Sequence, residues 1–126
     1  MHIEHIGLWV RDLDLVSAFY AKYFGAQRND LYHNSKTGFS SYFLTFDSGS
    51  RLEIMTNDAG ITPTKATAGY AHIALAVGDK DAVDRIVAQL TADGVKLLNG
   101  PRTTGDGYYE AVIEDPEGNL IELTTN

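Results

Sequence analysis

The octet His5-Ile-Gly-Leu-Trp-Val-Arg-Asp12 returns as His72-Ile-Ala-Leu-Ala-Val-Gly-Asp79 with five of its eight residues unchanged. A recurrence headed by histidine and closed by aspartate in both copies marks a duplicated module. Each copy also ends on a glutamate set between aliphatic residues, Arg51-Leu-Glu-Ile-Met55 and Leu120-Ile-Glu-Leu-Thr124. Four potential metal ligands, His5, Glu53, His72 and Glu122, therefore stand at repeat-equivalent positions.

Working outward from the octet, residues 3–10 alternate so that Ile6, Leu8 and Val10 share one face of a strand and His5, Gly7 and Trp9 the other. Asp12 or Asp14 can cap the helix that follows, where Leu13, Val16, Tyr20 and Tyr23 form an apolar stripe flanked by Phe19 and Phe24 and ended by Gly25. Extended segments are expected over 26–31, 41–46 and 51–55, the last two joined by Asp47-Ser-Gly-Ser50. The second copy follows suit. A strand over 71–77 leads to a cap at Asp79 or Asp81 and a helix with Ala82, Val83, Ile86, Val87 and Leu90 on one stripe, stopping before Gly94. Strands over 95–98, 108–114 and 119–124 complete it, with a turn at Asp115-Pro-Glu-Gly118. The expected fold is α+β: two βαβββ modules, 1–57 and 70–126, joined by a small polar linker over 58–69 within one domain. The helices would cover one face of curved mixed sheets and leave the other to a cavity.

Strand parity tests whether the four ligands face alike. His5 lies opposite Ile6, Leu8 and Val10, as His72 lies opposite Ile73, Leu75 and Val77. Glu53 is flanked by Leu52 and Ile54, as Glu122 is by Ile121 and Leu123, so each glutamate also points away from the apolar side. Two imidazoles and two carboxylates suit a borderline divalent ion such as zinc, nickel, cobalt or manganese.

Bulk properties narrow the field. A chain of 126 residues with 44% hydrophobic and 21% charged residues has the composition of a soluble globular protein, and it holds no apolar run of about 20 residues for a membrane span. The first residues lack the pattern of an export signal, so a cytoplasmic address is expected. With no cysteine, thiolate ligands and disulfides are excluded. A net charge of −7 argues against nucleic-acid binding and for small-molecule or protein partners.

The whole chain resembles the vicinal oxygen chelate superfamily, which includes glyoxalase I, fosfomycin- and bleomycin-resistance proteins and extradiol dioxygenases. The resemblance rests on His5-Ile-Gly-Leu-Trp-Val-Arg-Asp-Leu-Asp14, Gly69-Tyr-Ala-His-Ile-Ala-Leu-Ala-Val77 and Glu114-Asp-Pro-Glu-Gly-Asn-Leu-Ile-Glu-Leu123. The His, Glu, His, Glu pattern resembles glyoxalase I in particular, since fosfomycin-resistance enzymes and dioxygenases typically use two histidines and one glutamate. It implies one divalent metal per site (nickel, zinc or cobalt) and a homodimer whose shared sites take His5 and Glu53 from one chain and His72 and Glu122 from the other. The implied reaction turns the hemithioacetal of a 2-oxoaldehyde and a thiol into a 2-hydroxyacyl thioester. Glu122, with Glu53 as its equivalent, would carry the proton between adjacent carbons.

One position departs from that pattern. Glutathione-using glyoxalases usually place an arginine four residues after the first ligand, where this chain has Trp9. An indole stacks and donates one hydrogen bond but cannot pair with a carboxylate. Asn57 matches a substrate-contacting position of the family and equally suits a turn, and Arg102 could supply positive charge from a mobile loop over 100–107. His33 reads as a loop residue and His2 as a surface residue. Two other functions stay open: a related metalloenzyme acting on another small oxygen-chelating substrate, and a drug-sequestering dimer of bleomycin-resistance type, suggested by Trp9, Tyr108 and Tyr109.

Overall fold

The computed structural model describes residues 3–61, 70–105 and 107–126. Contacts cluster into two units, Met1–Lys65 and Ala66–Asn126, each α+β with one helix packed on one mixed sheet. In the first, β1 (His5–Trp9) leads through α1 (Leu13–Phe24) to β2 (Gln27–Arg28), β3 (Tyr32–Asn34), β4 (Phe39–Thr45) and β5 (Arg51–Asn57). The strand order is β1-β5-β4-β2, with β3 also on β4; β1 runs parallel to β5 and the other pairs are antiparallel. The second unit has β6 (Ile73–Gly78), α2 (Lys80–Ala92), β7 (Leu97–Thr103), β8 (Tyr109–Glu114) and β9 (Leu120–Thr125). Its order, β6-β9-β8-β7, again sets first and last strands parallel. Of the expected linker, 62–69 lies outside the described residues, as does His2. Among the described residues no helix is long and apolar enough to cross a membrane.

Each helix begins where a short acidic side chain can take an unpaired amide. Asp12 Oδ1 accepts from Leu15 N at 2.9 Å and Asp79 Oδ1 from Ala82 N at 2.9 Å, which decides both capping positions. Gly25, at φ 66°, ends α1 in the left-handed conformation that glycine adopts without a Cβ penalty. Val16 and Tyr20 of α1 are buried with Val10, Leu44 and Ile54, and Val83 and Leu90 of α2 are buried, as are Ile113, Ile121 and Leu123. Asp12→Ala and Asp79→Ala should each lose about 1 kcal/mol of stability in urea denaturation through loss of the cap.

Several boundaries differ from those expected. Regular pairing after β2 stops at Asn29, whose side-chain Oδ1 takes the Phe43 N–H at 2.8 Å in place of a strand carbonyl. Pairing resumes as β3, so His33 stands on a strand and not in a loop, with Nδ1 2.8 Å from Ser40 Oγ. His72 precedes β6 by one residue. β7 starts later than expected and runs on through Pro101, which an edge strand tolerates because its missing N–H interrupts no interior ladder. Arg102 is therefore held on β7, paired in register with Glu110, and does not sit on a mobile loop.

Gly100 explains how β7 keeps that course. Its φ is 80°, and an added Cβ would stand 2.5 Å from the Glu110 carbonyl oxygen and 2.9 Å from Ala111 Cα. Gly94, at φ 83°, has no atom within 4 Å of that point. Gly100→Ala should cost at least about 2 kcal/mol, combining backbone strain with a clash against main chain, and Gly94→Ala about 1 kcal/mol from strain alone. Thermal and urea unfolding of the two variants check the order. Asp115, buried at the β8–β9 turn, accepts from Glu117 N at 2.8 Å and from Asn119 N and Nδ2 at 2.9 Å, and the strands it joins pair Val112 with Glu122.

Candidate metal centre

Both units build the same local device. In the first, parallel pairing sets Gly7 opposite Glu53, and His5, two residues earlier on the same face, brings Nε2 to 3.7 Å from Glu53 Oε2. In the second, Ala74 stands opposite Glu122, and His72, again two residues earlier, brings Nε2 to 3.5 Å from Glu122 Oε2. Equal register offsets thus give nearly equal donor separations. The glutamate side chains are 17% and 22% exposed and the histidines 41% and 45%, so each pair is half-sheltered and still reachable.

The donor sets suit a divalent ion. Imidazole nitrogen and carboxylate oxygen bind zinc at about 2.0–2.2 Å, so two such donors on one ion stand roughly 3.0–3.5 Å apart. The observed separations exceed that by a few tenths of an ångström at most and are long for a hydrogen bond. Among the described residues no group of three or more histidine, aspartate and glutamate side chains lies close enough to hold a metal. Each unit considered by itself presents a two-donor set.

Around the first pair the side chains are aromatic and charged. Phe43 is the β4 neighbour of Glu53, and the His5 ring meets it edge-on at 5.3 Å. Arg51 lies over the same Phe43 ring, Cζ 4.1 Å from its centre, and binds Glu4 Oε1 through Nε at 2.6 Å. Glu4 Oε2 lies 2.6 Å from His5 Nδ1. Interaction with His5 first, and with the Arg51 guanidinium after it, holds the Glu4 carboxyl below the ordinary glutamate range despite some desolvation. Sequence alternation does not reveal Glu4, because neighbours in a strand face oppositely, whereas Glu4 precedes β1 and escapes that rule. Arg51 is more accessible to such reading, since it stands two residues before Glu53 and hence on its face.

The expected substrate contacts fall unevenly. Trp9 is 49% exposed, on the face of β1 that carries His5, with its ring edge-on to Phe39 at 6.0 Å. It is not a core residue. Asn57 ends β5, where Nδ2 donates to Thr37 O at 3.1 Å and Oδ1 accepts from Ala59 N at 2.9 Å, so its amide is engaged in the local turn. Arg102 lies on the Glu122 face of its sheet, Nη2 3.5 Å from Glu110 Oε1. Tyr108 is exposed, while Tyr109 donates to Asp84 Oδ1 at 2.7 Å, a bond that raises its phenol pKa. His33 is bonded to Ser40 on the opposite side of its sheet from Glu53.

Two repeated modules, each a mixed sheet with a His–Glu pair on the face away from its helix, define a glyoxalase-like protein. The chain belongs to the Glyoxalase/Bleomycin resistance protein/Dioxygenase superfamily, whose family model matches residues 2–123. It is 29% identical over 122 residues to the uncharacterized protein YwbC of Bacillus subtilis, covering 96% of this chain and 94% of that one. It is also 29% identical over 127 residues to a probable lactoylglutathione lyase of Vibrio cholerae, covering 98% and 90% respectively. Among solved structures, the trypanothione-dependent glyoxalase I of Leishmania major matches with a TM-score of 0.81 at 27% identity, over 99% of this chain and 86% of that one.

Proposed function

We propose that the chain is a divalent-metal-dependent isomerase of glyoxalase I type, converting the hemithioacetal of a 2-oxoaldehyde and a thiol into a 2-hydroxyacyl thioester. The observation that carries this reading is the duplicated His–Glu pair: the same donors, at the same register offset, with separations of 3.7 and 3.5 Å. His5, Glu53, His72 and Glu122 would together hold one nickel, zinc or cobalt ion, in a homodimer with shared sites. The bound ion would supply Lewis-acid stabilisation of negative charge developing on the substrate oxygens.

The chain's own groups account for the proton transfer. One glutamate, for which we favour Glu122, takes the proton from the carbon that bears sulfur and returns it to the neighbouring carbon, while the hydroxyl proton passes to that neighbour's oxygen, so that an aldehyde-level carbon becomes the thioester carbonyl. Glu53 is its counterpart in the other half. A carboxylate suits this task because it accepts and releases one proton at a single position. Trp9, Asn57 and Arg102 would contact the rest of the substrate.

Trp9 favours a second reading of the same site. Its exposed indole beside Phe39 suits an apolar or aromatic substrate portion, where a carboxylate would find no guanidinium at that position. Metal-reconstituted protein assayed with methylglyoxal and a panel of thiols should form thioester with at least one of them. Trp9→Arg should then shift preference toward the thiol carrying carboxylates. Failure with every thiol and every metal would overturn the isomerase reading.

A further inference from the structure

The two histidines are equivalent in the repeat but not in their support. His5 is gripped from behind: Glu4 Oε2 lies 2.6 Å from Nδ1, while Glu4 Oε1 is held by Arg51 through Nε at 2.6 Å and Nη2 at 2.5 Å. The grip is tied to the sheet at three further points. Arg51 N donates to Glu4 O at 2.9 Å, Ser50 Oγ donates to Ile3 O at 2.5 Å, and Phe43 forms a floor touching both the His5 ring and the Arg51 guanidinium. In the second unit the equivalents of Glu4, Phe43 and Arg51 are Ala71, Val112 and Leu120. None can accept from an imidazole through its side chain or anchor an acid that does.

We propose that Glu4, anchored by Arg51, is a positioning residue that fixes His5 in the Nδ1–H tautomer and keeps its Nε2 lone pair directed toward Glu53, a device with no counterpart at His72 among the described residues. The chemistry is direct. A glutamate engaged by guanidinium N–H groups is an acceptor, so the hydrogen between Glu4 Oε2 and His5 Nδ1 belongs to the ring. A neutral imidazole carries one N–H, and the nitrogen left bare is then Nε2, which faces Glu53. Free imidazole side chains favour the opposite tautomer, so without Glu4 part of any binding energy would be spent on moving the proton and reorienting the ring. A carboxylate behind a ligating histidine also makes the ring a stronger donor. Its role toward a metal rests on the function proposed above; its effect on the tautomer does not.

The test uses the metal-free full chain, 15N-labelled, with long-range nitrogen–proton correlation at a pH about two units above the ordinary imidazole pKa of roughly 6.5. In the unsubstituted protein the bare-nitrogen signal of His5 should fall on Nε2. In Glu4→Ala it should move toward Nδ1 while the His72 signals stay in place, which also shows that the fold is intact. Titration with zinc alone should show affinity lower by about ten- to a hundredfold in Glu4→Ala. An unchanged His5 pattern in Glu4→Ala would overturn the proposal even if zinc binds. Absence of zinc binding in the unsubstituted chain, with the tautomer shift still seen, would overturn the metal reading and support the role of Glu4.

Discussion

Glu122→Gln is expected to lower turnover of the hemithioacetal by about a hundred- to ten-thousandfold in metal-saturated protein, the span by which positioned acid–base groups accelerate proton transfer. Glutamine keeps the shape of the side chain and an oxygen donor, but its amide cannot take up a proton at neutral pH. Turnover measured with saturating substrate and metal separates this effect from weakened binding. Glu53→Gln is the matched control, since Glu53 stands two register positions from His5 just as Glu122 stands two from His72. The larger loss in kcat identifies which carboxylate carries the proton. Equal and small losses in both would contradict a carboxylate as the carrier.

The second large effect concerns the histidines. His5→Ala and His72→Ala should each weaken metal binding by at least about a hundredfold, more than the ten- to hundredfold typical of losing a group behind a ligand. Each substitution leaves three of the four proposed donors, so the experiment asks whether the incomplete set still holds the ion. Both histidines are substantially exposed, at 41% and 45%, so their replacement should leave unfolding nearly unchanged and let metal loss be read without loss of fold.

Much of this architecture is legible in the amino-acid sequence. The octet repeat marks two modules, and alternation puts each histidine and glutamate opposite the aliphatic face, because a side-chain period of two is robust wherever one face is buried. Asp12 and Asp79 both stand where a helix cap is expected, and Gly25 where α1 should stop. What escapes such reading depends on exceptions to periodicity. Asn29 replaces a ladder bond with its side chain and ends β2 inside the strand expected over 26–31, while β3 forms beyond that stretch. Pro101 suggests a loop but lies on an edge strand, which moves Arg102 from a mobile segment to a fixed place beside Glu110. Glu4 sits just outside β1, where parity no longer applies, and its contact with His5 emerges only in three dimensions.

Trp9 remains the residue that separates this chain from the glutathione-using pattern. Its exposure and its edge-on contact with Phe39 make it available to a ligand, so under the proposed function substrate choice should be read there and metal binding at the His–Glu pairs.

The central claim, that His5, Glu53, His72 and Glu122 serve one metal centre, is tested most directly by metal stoichiometry. Protein reconstituted with zinc, nickel or cobalt and freed of excess ion would be analysed for metal per chain, alongside His5→Ala and His72→Ala. One ion per chain, lost in both variants, is the predicted result. An unsubstituted chain that retains no ion, or variants that each retain one, would contradict it.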